Sequence, residues 1–230
     1  MRKKKRLGQH FLVSQSAAKK IVDAAQITKK DTVLEIGTGK GILVPLLCDK
    51  AGHVISIESD YTLYSIVAKK FSDVPNLTLL HGDGFKSDEK FSIFVSNLPY
   101  SKSRDAMEWL VQKKFRLAVV MVQKEFFLKI LEKNTKAISV LVNYSADIEK
   151  IMHVSASNFS PPPKVDSIVL RLTCKKTISK ALIQTVNLLY SYKRKKLSNI
   201  ARQFGKNIES DKRLEDLSGD EIINLAKKLL

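Results

Sequence analysis

The segment Thr32-Val33-Leu34-Glu35-Ile36-Gly37-Thr38-Gly39-Lys40-Gly41 decides the architecture. Its first half has the apolar, β-branched composition of a buried strand. Its second half alternates glycine with other residues, which lets the chain turn tightly and bring its backbone close to a ligand. This is not a phosphate-binding loop. That motif needs four residues between its first glycine and a Gly-Lys-Ser/Thr ending, and here Gly41 follows Lys40. A dinucleotide fingerprint would place its last glycine at position 42, which is Ile42. A nucleoside without phosphates fits the loop better.

Downstream, strand-like and helix-like patterns alternate. The spacing predicts helices over 42–50, 61–71, 104–113 and 125–133, and strands over 54–58, 77–81, 91–96 and 117–122. Late strands are expected over 138–143 and 165–173, around the break at Pro161-Pro162-Pro163. This rhythm predicts a doubly wound α/β sheet, whose right-handed crossovers bring the strands' carboxyl ends to one edge, where ligands bind. The glycine loop, Glu58, Asp83 and Asn97 all fall at that edge. Beyond Lys175, Leu182, Val186, Leu189 and Tyr190 recur at helical spacing, as do Ile222, Ile223, Ala226 and Leu229. Two parts are therefore expected: a catalytic α/β domain over 1–175, with a basic arm over 1–12, and a small helical region over 176–230. The latter, about 50 residues, is too short for a large core of its own.

Chemistry concentrates at the strand ends. Glu58 closes an apolar strand about 20 residues after the glycines, where an acidic side chain can accept both hydroxyls of a ribose. Asp83, in His81-Gly82-Asp83-Gly84, can accept from the exocyclic amine of an adenine, although a turn aspartate would explain it alone. In Asn97-Leu98-Pro99-Tyr100, an amide, a proline and an aromatic ring close a strand. The Asn97 side-chain oxygen and a nearby backbone carbonyl can accept both hydrogens of an amine on a planar base, and Tyr100 can stack on that base. An amine so aligned needs no strong base to attack a sulfonium methyl; the protein's task is positioning.

The balance of 40 Lys and Arg against 23 Asp and Glu gives a formal charge of +17, which favours a polyanionic partner such as RNA. The charge gathers in two runs, Arg2-Lys3-Lys4-Lys5-Arg6 and Lys193-Arg194-Lys195-Lys196, both candidate RNA contacts. Hydrophobic residues make up 44% of the chain, enough for a real core. Cys48 and Cys174 lack the spacing of a zinc site or a disulfide framework, and no metal is expected. No apolar run reaches the ~18 residues of a membrane span, and a cytoplasmic location is expected.

Taken in order, these motifs resemble the KsgA-type rRNA adenine dimethyltransferase family. The resemblance rests on Leu7-Gly8-Gln9-His10-Phe11-Leu12, the Glu35–Gly41 loop, Ile57-Glu58-Ser59-Asp60, Gly82-Asp83, Asn97-Leu98-Pro99-Tyr100 and Gln123-Lys124-Glu125. It extends through Phe159-Ser160-Pro161-Pro162-Pro163-Lys164-Val165-Asp166-Ser167 to Tyr192-Lys193-Arg194-Lys195-Lys196. It implies a Rossmann-like class I methyltransferase fold with S-adenosyl-L-methionine as cofactor. Gln9, His10 and Leu12 would line the cofactor site, Gly37 and Gly39 would pass the methionine part, Glu58 would hold the ribose and Asp83 the adenine. Asn97 would also touch the cofactor and bind the target amine, with Leu98 and Pro99 shaping the turn. Tyr100 would stack on a flipped adenine, and Phe159 would close its other face. The implied product is dimethyladenine at two adjacent adenosines near the 3′ end of small-subunit rRNA, made during ribosome biogenesis by a protein expected to be monomeric. Thr38 departs from the family's usual proline, Lys129 from its usual arginine, and the C-terminal region is short. The alternatives are a large-subunit rRNA methyltransferase of the resistance class, a DNA or protein-glutamine methyltransferase, and a non-catalytic assembly or transcription factor on the same fold.

Overall fold

The computed structural model describes residues 10–132 and 134–230. Gln9 and the run Arg2, Lys3, Lys4, Lys5, Arg6 therefore lie outside the described residues. After the short strand β1 (Phe11–Leu12), Ser14 caps α1 (Gln15–Ala24) by accepting from the Ala17 N–H at 3.2 Å. Then follow β2 (Thr32–Ile36), α2 (Val44–Lys50) and β3 (His53–Glu58). Pro45 sits in the first turn of α2, where a missing N–H costs no helical bond. Asp60 caps α3 (Tyr61–Lys70), accepting from Thr62 N and Leu63 N at 2.9 and 3.2 Å. The chain continues through β4 (Leu77–His81), β5 (Ile93–Asn97), α4 (Ser103–Leu110), β6 (Leu117–Gln123), α5 (Lys124–Leu131) and α6 (Ala137–Ser145). Next come β7 (Ala146–Val154), β8 (Phe159–Ser160), β9 (Ser167–Cys174), α7 (Lys180–Ser191), α8 (Leu197–Gln203) and α9 (Gly219–Leu229).

Seven strands form one sheet in the order β4-β3-β2-β5-β6-β9-β7. The strands from β4 to β6 pair in parallel, and β9 runs antiparallel to β6, from Leu117↔Thr173 to Gln123↔Ser167. From β2 the chain first builds outward through β3 and β4, then crosses back to β5 and builds the other way. The order reverses between β2 and β5, so a crevice opens beyond their carboxyl ends. β1 and β8 form a separate antiparallel pair, with Leu12 opposite Phe159.

The expected strand over 138–143 is a helix instead, within α6, and the strand of this region is β7. Ala137 through Val142 are all buried. A helix buried all round has no polar face, so its sequence shows no helical period, and β-branched residues then read as a strand.

Packing divides the chain into two compact units. The first holds the described residues up to Ser103, with Phe115–Lys124 and Ile148–Thr173. Its core joins Val33, Val54, Ile93, Val95, Val119 and Met121 of the sheet to Ala18, Ile21 and Val22 of α1 and Leu47 of α2. The second unit takes Arg104–Lys114 and Glu125–Asp147 together with Cys174–Leu230, so it is larger than the segment 176–230. Its reason is apolar: α7 and α9 pack on each other and on α6, burying Val186, Leu189, Ile222, Ile223 and Ala226. Asn187 of α7 bonds Arg104 and Glu108 of α4 at 2.9 and 3.2 Å.

Candidate active site

The loop after β2 is held open by geometry that only glycine adopts readily. Gly37, Gly39 and Gly41 have φ of +86°, +58° and +73°. A Cβ on Gly39 would also meet the Phe11 ring at 3.3 Å, so glycine lets β1 close over the loop. The loop is tied to β3 by Gly37 N–H donating to Ile57 O and Gly39 N–H to Glu58 Oε2, both at 2.8 Å. The next strand end is joined the same way, with Gly82 N–H donating to Glu58 O at 2.9 Å.

These ties gather the strand ends around one cavity of about 330 Å³. It is lined by His10, Leu12, Gly37, Gly39, Glu58, Asp83, Asn97, Leu98, Pro99 and Tyr100, so ten residues singled out in the sequence meet there. Glu58 is 4% exposed. Its carboxylate already accepts from Gly39 N and from Asp60 N, at 2.8 and 2.9 Å, and each oxygen keeps a lone pair for a ligand hydroxyl. Asp83 is exposed and accepts from Phe85 N at 3.1 Å. The Asn97 side-chain amide makes no hydrogen bond to another described residue, although it lines the cavity. Tyr100 hydrogen-bonds Ser167 Oγ through its hydroxyl at 2.7 Å, and burial raises its pKa. Its ring stacks against His10 with centroids 5.8 Å apart, and His10 Nδ1–H donates to Pro161 O at 2.8 Å.

One placement differs from expectation. Phe159 is 3% exposed, packed in the core of the first unit opposite Leu12, and is not part of the cavity wall. Lys193, Arg194, Lys195 and Lys196 are exposed on the second unit between α7 and α8. There Lys195 Nζ lies 4.7 Å above the Tyr192 ring centroid and Lys196 pairs with Asp211 at 2.6 Å.

Sequence reasoning passed over Glu35, which lines the same cavity and is 1% exposed. Burial raises its pKa to about 8, despite a hydrogen bond from Ser56 that favours the charged form; the Glu58 charge raises it further. The available signal was a carboxylate in the middle of an otherwise apolar strand. Among the described residues no group of three or more His, Cys, Asp or Glu could hold a metal ion, and no helix is long and apolar enough to cross a membrane.

A parallel sheet whose order reverses above a glycine loop, with carboxylates at the next two strand ends, places the protein among class I methyltransferase folds. It superposes on a dimethyladenosine transferase from Plasmodium falciparum with a TM-score of 0.79 at 27% identity, over 94% of this chain and 96% of that one. The 23S rRNA methyltransferase ErmE shares the fold, with a TM-score of 0.69 at 23% identity, over 95% of this chain and 99% of that one. The family model for ribosomal RNA adenine dimethylase matches residues 1–229, and the chain belongs to that family. The ribosomal RNA small subunit methyltransferase A of Thermotoga maritima is 36% identical over 239 aligned positions, covering 99% of this chain and 86% of that protein. That of Clostridium botulinum is 36% identical, covering 90% of this chain and 82% of that protein.

Proposed function

We propose that the protein dimethylates the exocyclic amines of two adjacent adenosines near the 3′ end of small-subunit rRNA, with S-adenosyl-L-methionine as donor. We place it, as a monomer, in the cytoplasm. The observation that carries this reading is the Asn97 amide, free of hydrogen-bond partners among the described residues and facing the same cavity as Glu58 and Asp83. The names of the relatives in Thermotoga maritima and Clostridium botulinum support the choice of small-subunit RNA.

The residues present fit the cofactor. Glu58 has lone pairs for a ribose, Asp83 is an exposed acceptor for an adenine amine, and Gly37 and Gly39 leave room for the methionine part. When bound, the cofactor supplies an electrophilic methyl group. Asn97 Oδ1 and a backbone carbonyl of the Asn97–Tyr100 turn accept the target amine's two hydrogens and aim its lone pair. The amine proton then leaves to solvent, so no strong base is required. After one methyl is in place, Asn97 still has an N–H to accept for the second round. Tyr100 offers its ring to the flipped base, and Lys193–Lys196 supply phosphate contacts.

The test is methyl transfer from labelled cofactor to undermethylated small subunits, with modified nucleosides mapped by mass spectrometry. Dimethyladenine at two adjacent 3′-end positions supports the reading. Product confined to large-subunit RNA reassigns the substrate, and tight particle binding without transfer replaces the enzyme by an assembly factor.

A further inference from the structure

One wall of the cavity rests on a chain of buried hydroxyls. Glu35 and Ser56 are register partners on β2 and β3, so their side chains leave the sheet on the same face. Ser56 Oγ donates to Glu35 Oε2 at 2.5 Å, and Thr38 Oγ1 lies 2.6 Å from Ser56 Oγ. When Glu35 is ionised, the one proton of Ser56 goes to the carboxylate, so Thr38 is then the donor in the second bond. Glu35, Ser56 and Thr38 are 1%, 0% and 4% exposed, so each is largely shielded from bulk water. Three consecutive residues of β3 thus hold three consecutive residues of the loop: Ser56 holds Thr38, Ile57 holds Gly37 and Glu58 holds Gly39. The last two ties use the loop's backbone N–H groups and survive any side chain at 38. The first needs a hydroxyl there, and among the described residues it is the side-chain link from the loop to Glu35.

We propose that Thr38 and Ser56 are positioning residues that fix the Glu35 carboxyl at the cavity wall and so set the affinity for the positively charged cofactor. The inference rests on reading the cavity as the S-adenosylmethionine site. A carboxylate at that wall attracts a cation, but burial and the Glu58 charge oppose its ionisation. Donation from Ser56 favours the charged form, and donation from Thr38 polarises the Ser56 hydroxyl and strengthens it as a donor. Burial and the Glu35 charge push the Cys48 thiol of α2 up to about 11, and the cavity wall that Glu35 shares also carries the ionisable groups of His10, Lys40, Asp83, Tyr100 and Lys102.

The experiment is titration calorimetry of S-adenosylmethionine and S-adenosylhomocysteine binding to the full chain from pH 6 to 9. The variants are Thr38→Val, Thr38→Ser and Ser56→Ala, each below its own melting temperature. Thr38→Val should weaken S-adenosylmethionine binding roughly 5- to 20-fold, as expected for removal of one buried hydrogen bond, while Thr38→Ser restores it to within about twofold. Ser56→Ala should move the rise of affinity with pH to higher pH, and all losses should be larger for the sulfonium than for the neutral thioether. Unchanged affinity in Thr38→Val, an equal loss in Thr38→Ser, or an unmoved pH profile in Ser56→Ala overturns the proposal. Should Thr38→Val fail to fold, Ser56→Ala decides by the same readouts. A wild-type chain that binds neither compound defeats the cofactor reading itself, a result distinct from these.

Discussion

Replacing Glu35 by glutamine should make the cofactor-free protein more stable at neutral pH, by an amount that grows with pH. Glu35 ionises at about 8 in the folded chain and near 4.5 when exposed. Between those values the native state keeps a proton that the unfolded state has released, so rising pH favours unfolding. Integrating the difference gives a penalty of about 1 kcal/mol at pH 5 and about 3 kcal/mol at pH 7, levelling off above pH 8. Glutamine has the same shape, can accept from Ser56, and never ionises. The gap between Glu35→Gln and wild type should therefore widen by roughly 2 kcal/mol from pH 5 to pH 7, equivalent to about 1 M in urea midpoint. Differences taken at each pH cancel the titration of every other group that the substitution leaves undisturbed. Far-UV circular dichroism is the right probe, because the single tryptophan, Trp109, belongs to the second unit and not to the one holding Glu35. Stability curves that stay parallel across this range would show that Glu35 is ionised throughout and that the assigned burial effect is wrong.

Three further outcomes follow from the geometry. Asn97→Ala should lower methyl transfer by roughly 10²-fold or more, the scale of removing a preorganised polar group from the reacting centre, while filter binding of rRNA stays near wild type; equal loss of both would refute its role at the amine. Neutralising Lys193, Arg194, Lys195 and Lys196 with glutamine should flatten the dependence of log affinity on log salt by up to ~0.7–0.9 for each RNA phosphate these side chains neutralise; an unchanged slope places RNA elsewhere. Asp31 is held down to about 2: burial pushes its pKa up, but Ser92, the Thr28 N–H, Arg116 and the Thr28 hydroxyl together donate more than enough to reverse that. Its contribution is present above the ordinary carboxylate pKa and is lost as pH falls toward 2, so Asp31→Asn should be less stable than wild type at pH 6, with the gap closing in acid melts.

What could be read from the sequence was whatever topology forces. Once β2 through β6 are parallel, Glu58, Asp83 and Asn97 must come to one edge, because each closes or follows a strand, and the structure places all three on one cavity. The elements that escaped were those whose surroundings erase local pattern. The α6 helix is buried on every side, so no polar face marked its period. Phe159 stands in a distinctive proline-rich motif, but motif membership says nothing of which way a two-residue strand turns its side chain. The second unit draws on three stretches of chain, and pairing among distant helices leaves no trace in any one of them.

Glu35 and Glu58 show why the loop sequence alone underdetermines the site. Both are acidic, both are nearly buried, and both line the same cavity. Glu58 accepts two backbone N–H groups, which compensate its charge from the rigid part of the chain. Glu35 accepts one hydroxyl, itself held by another, which compensates less and leaves ionisation opposed by burial. The Glu35 carboxyl, whose ionisation burial opposes, gains its charge most readily when a cation comes beside it. A buried carboxyl whose charge a neighbouring cation favours can hold a charged ligand and relax its hold once that charge is gone.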